Sequence, residues 1–358
     1  MNNKVIMITY GTRPEFLKVY PIIKQFEKLN QKVIVVNTGQ HEDLLNQIQD
    51  TFNYEPDVRL ESYKNKLDSP STNLLAFIIQ KLSQLIIENS VTDLISQGDT
   101  YTVLASSLIS FTEKIRFHHI EAGLRTEDIL NPFPEEYNRR VVSLGTYHHY
   151  CPTELSRMNL ISEGHKLTDI SLVGNTIVDT LEYVKGDRVP TYEDEILITI
   201  HRRDNVKNIE NIFSSIIRLC YSNPELKFKW VRHHNEMINS KLIPLIKMGV
   251  PSNLEIIDPL NYEEMIDYLL RVKLIISDSG GIQEEAPSFG KKILVVREST
   301  ERPEVIKCGA GIIVKDTSDN SLFDLFTLIN KSDYKYKGEN PFGDGKSSEL
   351  IVNKILSL

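Results

Sequence analysis

Short runs of β-branched and aliphatic residues alternate with longer segments in which apolar positions recur at helical spacing, along almost the whole chain. Residues 4–9, 32–37, 93–96 and 115–119 are apolar on consecutive rather than alternate positions, which predicts strands covered on both faces. Between them, 14–28, 71–88 and 101–111 carry the period of amphipathic helices, with Ser71 or Thr72 placed to cap the second. The rhythm restarts at 195–200 and continues through 228–231, 254–257, 274–277 and 292–296. Strand, helix and strand in this order build βαβ units, so the predicted class is α/β with parallel sheets in two successive domains. The chain crosses between them near 164–169. The segment 185–194 reads as either a linker or a surface loop, and a final helix spans 347–358.

The length, 358 residues, agrees with two domains rather than one small core. A net charge of -8 argues against a sequence-blind grip on nucleic acid or an anionic membrane, so an anionic ligand must be held locally. Cys151, Cys220 and Cys308 lie far apart, with no Cys-x-x-Cys pair. That excludes a zinc ribbon and a secreted disulfide framework. The N-terminus enters a strand without a leader pattern, and no apolar run reaches the length of a membrane span. A cytoplasmic enzyme is the expectation.

In doubly wound sheets ligands bind beyond the C-terminal strand ends, so polar residues directly after apolar runs are where chemistry belongs. After the first run comes Gly11-Thr12-Arg13-Pro14-Glu15, with Pro14 suited to a first helical turn and Lys18 one turn on. After the third and fourth come Gln97-Gly98-Asp99-Thr100 and Ile120-Glu121-Ala122-Gly123. A proline-rich loop then opens a helix at Glu135-Glu136, with Arg139 four residues beyond Glu135, a spacing that also suits an internal ion pair. In the second half, His201-Arg202-Arg203 and the turn Ser279-Gly280-Gly281 occupy equivalent positions, and a diphosphate fits both. Glu285 is placed to accept ribose hydroxyls. The turn is neither Gly-x-Gly-x-x-Gly nor a Walker loop, which argues against NAD and ATP. His118, His119, His148 and His149 read as structural, while His233 follows a strand toward the polar clusters. No histidine set has zincin spacing, so no metal is expected.

Taken in order, Gly11-Thr12-Arg13-Pro14-Glu15, Thr38-Gly39-Gln40-His41, Gln97-Gly98-Asp99-Thr100, the run from His119 through Glu121 to Thr126, Pro132-Phe133-Pro134-Glu135-Glu136, His201-Arg202-Arg203, Asp278-Ser279-Gly280-Gly281 and Thr300-Glu301-Arg302-Pro303-Glu304 carry a family pattern. It resembles the bacterial, non-hydrolysing UDP-N-acetylglucosamine 2-epimerases over nearly the whole chain. The resemblance implies two Rossmann-like domains of the glycosyltransferase-B type with the active site in the interdomain cleft. Their expected bounds are 1–168 and 169–343, with 344–358 returning to the first domain. It also implies a homodimer, UDP-N-acetylglucosamine and UDP-N-acetylmannosamine as substrates, and no cofactor. Carried over by motif position, Asp99, Glu121, Glu135, His201, Lys18 and Arg13 are catalytic. Arg13, Lys18, Arg139, His201, Leu260, Met265, Ser279, Gly280, Gly281, Glu285 and Arg302 bind the UDP-sugar. Gln40, His41, Glu136, Arg202 and His233 match parts of a second, activating nucleotide-sugar site. The chain departs from the family at Met265, where an aromatic is usual, at Leu260, where a glutamine is common, at Glu236, where a proline is common, and in 63–73, which lacks the expected Arg and Gln.

The reaction so implied is inversion at C2 of an N-acetylhexosamine, by elimination and re-addition of UDP through a 2-acetamidoglucal. It needs carboxylates for proton removal and return, and donors on the departing diphosphate. Its product would supply N-acetylmannosamine for a surface polysaccharide. A UDP-sugar glycosyltransferase of the same fold, an epimerase of another UDP-sugar and a hydrolysing relative are the alternatives.

Overall fold

A computed structural model of the chain describes residues 4–40, 42–60, 70–126, 128–233, 236–315, 317, 320–332 and 334–358. It divides into two compact units, Met1–Thr180 with Phe342–Leu358, and Leu181–Pro341. The expected boundary at 168/169 lies before the last strand of the first sheet. The observed division falls inside a later helix, because that strand pairs with its sheet and the Thr180 hydroxyl bonds back to the Leu17 carbonyl.

Unit 1 contains strands β1 (Ile6–Tyr10), β2 (Val33–Asn37), β3 (Val58–Arg59), β4 (Asp93–Gln97), β5 (Arg116–Ile120), β6 (His148–Cys151) and β7 (Ile170–Leu172). Its helices are α1 (Arg13–Lys28), α2 (Glu42–Thr51), α3 (Pro70–Asn89), α4 (Tyr101–Glu113), α5 (Glu135–Gly145), α6 (Glu154–Ser162) and α7 (Thr176–Lys185), the last of which runs across the division. All strand pairs are parallel, in the order β3-β2-β1-β4-β5-β6-β7. Ser71 and Thr72 lie inside α3 rather than capping it, since the helix begins at Pro70.

β1, β4 and Phe117 to Ile120 of β5 are covered, and the covered positions include Asp93, Ser96, Gln97, His118 and His119 as well as apolar residues. The order reverses between β1 and β4. Parallel neighbours deliver their C-terminal ends to one sheet edge, so Gly11, Asp99 and Glu121 leave the sheet there.

Unit 2 contains β8 (Glu195–Thr199), β9 (Lys227–Val231), β10 (Leu254–Ile257), β11 (Leu274–Ser277), β12 (Ile293–Val295) and β13 (Gly311–Ile313). Its helices are α8 (Ile209–Ser222), α9 (Glu236–Lys247), α10 (Tyr262–Arg271), α11 (Gly280–Glu285), α12 (Pro303–Lys307) and α13 (Ser321–Ser332). The parallel order β10-β9-β8-β11-β12-β13 reverses between β8 and β11. Its core is built around Trp230, Phe213, Phe228 and Phe326. Residues 186–194 are a surface segment docked by backbone bonds from Thr191 to Leu270 and from Glu193 to Arg271.

The last helix, α14 (Ser347–Ser357), packs on α1 in unit 1. Its N-terminal residue Lys346 makes no capping bond. Asp179 of α7 replaces it, accepting the N–H groups of Ser347 (3.2 Å) and Ser348 (2.8 Å) and the Ser348 hydroxyl (2.6 Å). At the other end Lys4 donates to the carbonyls of Ile355 and Leu356, where a cation complements the helix terminus. Among the described residues no helix is long and apolar enough to cross a membrane.

Candidate active site

At the sheet edge of unit 1, Asp99 and Glu121 are each engaged by a cation. Nε and Nη2 of Arg139, one turn along α5 from Glu135, both lie 2.8 Å from Asp99 Oδ2. Nζ of Lys18, one turn into α1, lies 2.5 Å from Glu121 Oε1. Both members of the Lys18–Glu121 pair are nearly buried. Glu121 also accepts from Asn175 Nδ2 (3.1 Å) and from the side chain of Gln97. It holds a left-handed backbone (φ 64°), a costly conformation for a residue with a side chain, tolerated here by this surrounding set of donors.

The loop that presents Asp99 is fixed from several directions. Gly98 is left-handed (φ 88°), and its N–H donates to the Ile120 carbonyl. Its own carbonyl accepts Nε2–H of His119 at 2.7 Å. Burial drives the His119 ring down to about 4, so it is neutral with its proton on Nε2. Asn138 donates to the Asp99 carbonyl at 2.8 Å. Thr100, the N-cap residue of α4, gives its hydroxyl to Glu15 instead of to its own helix.

Glu135 and Glu136 separate completely. Glu136 is fully buried and braces its surroundings, accepting the Thr126 N–H, Arg140 and Arg139. Glu135 keeps a buried carboxylate oxygen, Oε2, with no hydrogen bond from the described residues. An acceptor left this way is costly unless something binds it. Arg13 occupies the first turn of α1, partly exposed. Gln40 accepts from Thr102 at 3.3 Å, and His41 lies outside the described residues.

In unit 2, the buried carboxylate of Asp278 organises the loop after β8. It accepts the N–H groups of His201 (3.0 and 3.1 Å) and Arg202 (2.9 Å) and Asn205 Nδ2 (2.9 Å), and lies 3.2 Å from His201 Nδ1. Burial lowers the His201 pKa against the pull of Asp278, and the ring stacks on the exposed His233. Ser279 caps α11 through the Ile282 N–H. Arg302 lies close against Gly280, where an added Cβ would stand 3.0 Å from its Nη1. The Arg302 guanidinium is held in turn by Glu284 at 2.7 Å.

Glu301 gathers Arg297, Arg302 and Arg202. Burial pushes its carboxyl up, but the Arg297 hydrogen bonds and the three guanidinium charges outweigh this and hold it well below the usual range. Gly281 is exposed, and Glu285 is buried where it accepts the Tyr262 hydroxyl at 3.5 Å. Leu260 and Met265, half-buried, stand just before and within α10. Among the described residues no group of three or more His, Cys, Asp or Glu gathers as a metal site.

Within unit 1, Asp99 pairs with Arg139 and Glu121 pairs with Lys18, with Glu135 on the same helix as Arg139. Within unit 2, His201, Arg202 and His233 cluster on one side, and Arg302 lies against Gly280. The residues that hold these in place include Gln97, His119 and Asp278, which lie in the sequence motifs without a role assigned to them, and Asn138 and Asn175, which lie outside those motifs. The Gly174-Asn175-Thr176 that follows β7 after Val173 was a usable sign of Asn175, since polar residues near a strand end mark this edge.

Both reversal points therefore carry carboxylates paired with basic side chains. The family model described as UDP-N-acetylglucosamine 2-epimerase matches residues 24–356. A UDP-N-acetylglucosamine 2-epimerase of Campylobacter jejuni is 35% identical over 99% of this chain and 97% of its own. The crystal structure of UDP-GlcNAc 2-epimerase from Neisseria meningitidis bound to UDP-GlcNAc superposes with a TM-score of 0.87 at 34% identity, covering 99% of this chain and 100% of that one. The Methanocaldococcus jannaschii UDP-GlcNAc 2-epimerase in complex with UDP-GlcNAc and UDP gives 0.82 at 29% identity, over 99% and 100%. With its two parallel Rossmann-like sheets and this end-to-end likeness, the chain belongs to the UDP-N-acetylglucosamine 2-epimerase family of isomerases.

Proposed function

We propose that the protein interconverts UDP-N-acetylglucosamine and UDP-N-acetylmannosamine by eliminating and re-adding UDP through a 2-acetamidoglucal. The C2 hydrogen is barely acidic, because it is not next to a carbonyl. Cleavage of the bond from C1 to the UDP oxygen gives the ring oxocarbenium character. A carboxylate then takes the C2 proton, and its electron pair closes the C1–C2 double bond. Return of a proton to the opposite face and attack of UDP at C1 complete the inversion. Asp99, Glu121 and Glu135 are the acid and base candidates. Arg13, Arg139, His201 and the Ser279–Gly281 turn stabilise the departing diphosphate.

The observation that carries this reading is the pair of strand-end carboxylates, Asp99 and Glu121, each held by a cation at the reversal point of the first sheet. The unsatisfied Glu135 oxygen adds a third acidic group. In the reading, unit 1 works on the hexose and unit 2 holds the nucleotide. Incubation with UDP-N-acetylglucosamine in deuterated water, without an acceptor, tests it by NMR: deuterium at C2 and both epimers are expected. Transfer only when an acceptor is present would mean a glycosyltransferase, and free sugar with UDP would mean a hydrolase. The product would feed N-acetylmannosaminyl transfer into a surface polysaccharide. A homodimer is part of the proposal, supported by the exposed apolar side chains Phe111 on α4 and Leu144 on α5. Light scattering on the purified protein checks it, and a monomer at micromolar concentration would overturn it.

A further inference from the structure

Glu15 is an acid in the first turn of α1, a position usually explained by the positive end of the helix. That explanation does not call for burial, and Glu15 is 1% exposed. Its two oxygens point to two different loops. Oε2 accepts the N–H of Gly11 at 3.0 Å, in the turn that leads into Arg13 at the start of α1. Oε1 accepts the hydroxyl of Thr100 at 2.6 Å, in the residue directly after Asp99.

The walls behind this bridge do not yield. A Cβ on Gly11 would meet Thr38 Oγ1 at 2.3 Å and Thr102 Oγ1 at 2.4 Å, and those two hydroxyls bond each other at 2.7 Å. On its far side Asp99 is tied to Asn138 and Arg139 of α5. Burial pushes the Glu15 carboxyl up to about 7, against the hydrogen bonds from Thr100, Thr12 and Gly11 and with a further push from Asp99. The fold thus carries a desolvated acid where a surface acid would serve the helix equally well.

We propose that Glu15 is a positioning residue for the reaction, whose bridge between Gly11 and Thr100 sets where Asp99 stands relative to Arg13. This rests on the reading of Asp99 as a group that acts on the sugar.

The bridge is geometric, so an amide should replace the carboxylate: the oxygen of Glu15→Gln can accept from Gly11 while its nitrogen donates to Thr100. Glu15→Leu fills the space and makes neither bond. Thr100→Val removes one bond from the opposite side without touching α1, and covers the case in which Glu15→Leu does not fold. For Glu15→Leu and Thr100→Val, kcat is expected to fall by about 10²-fold, the scale of a displacement of roughly 1 Å at a reacting group. KM and the UDP dissociation constant should stay within about threefold, and Glu15→Gln should keep kcat within about threefold of wild type.

Wild-type kcat in Thr100→Val, or in a folded Glu15→Leu, overturns the proposal. A Glu15→Gln variant as slow as Glu15→Leu also overturns it, since the negative charge rather than the bridge would then matter. Asp99→Asn run alongside separates the two levels. If it is inactive while Thr100→Val is normal, only the bridge is wrong; if it is fully active, the reading of Asp99 fails and the proposal with it.

Discussion

Replacing Lys18 by methionine tests the best-defined electrostatic feature of the first unit. The side chains of Lys18 and Glu121 are only 9% and 8% exposed, and their charged atoms stand 2.5 Å apart. Methionine keeps most of the lysine's apolar bulk, so the loss is mainly that of the ammonium. A buried carboxylate deprived of its cation costs about 3–5 kcal/mol. Glu121 retains the amide donors of Gln97 and Asn175, which places the expected cost at the lower end, about 3 kcal/mol.

Trp230, the single tryptophan, belongs to the second unit, so its fluorescence does not report on this change. Hydrogen exchange of the β4 and β5 amides under native conditions does, because their opening follows the unfolding of the first sheet. Lys18→Met should lower the protection of those amides by about 3 kcal/mol. In a cycle with Glu121→Gln, the double variant should recover at least about 2 kcal/mol relative to the summed single changes. A cost below about 1 kcal/mol with no coupling would mean that the pair behaves as a solvent-screened surface bridge, contrary to the burial seen here.

Other expected outcomes follow from the packing. Gly123→Ala should cost about 3 kcal/mol or more: φ is 86° and the new Cβ would stand 2.2 Å from the Ser156 carbonyl oxygen, so thermal unfolding should fall sharply. Asp179→Ala removes three hydrogen bonds from the start of α14. It should raise exchange and protease cleavage within 342–358 first, at a cost of about 1–2 kcal/mol. The Glu15 carboxyl is raised from 4.5 to about 7 on folding, so its contribution is fully present below pH 4.5 and is lost as pH rises through 7. Glu15→Gln lacks that loss, so its stability relative to wild type should improve by about 3 kcal/mol between pH 4.5 and pH 8 in urea titrations. A difference that does not change with pH would contradict the raised carboxyl.

The core strands were legible because both faces of each parallel sheet are covered, which sets apolar residues side by side in β1 (Ile6-Met7-Ile8), β4 (Leu94-Ile95) and β11 (Leu274-Ile275-Ile276). β6 was not. His148-His149-Tyr150-Cys151 reads as a polar stretch, yet all four side chains are buried. The fold supplies polar partners to two of them, Ser171 for His148 and His118 for Tyr150. β3, β7 and β13 are two or three residues long and carry too short a pattern to read.

The site shows the same division. Residues that follow a strand directly, such as Asp99, Glu121, His201 and Ser279, are visible as polar breaks after apolar runs. Partners that arrive from elsewhere, such as Asn138 to Asp99, depend on topology and leave no local trace. Glu135 and Glu136 show the limit most clearly. They are neighbours with the same chemistry, and only the packing of α5 decides that one braces the fold and the other keeps an unsatisfied oxygen.

The central claim is that acidic groups on the first sheet exchange the proton at C2 of a UDP-bound hexosamine. The most direct measurement is the rate of deuterium entry at C2 of UDP-N-acetylglucosamine in deuterated water, for wild type and for Asp99→Asn, Glu121→Gln and Glu135→Gln, with UDP affinity measured on the same samples. The expected result is rapid exchange in wild type and losses of about 10²-fold or more in each variant, with UDP affinity nearly unchanged. Exchange at wild-type rates in all three variants would contradict the account.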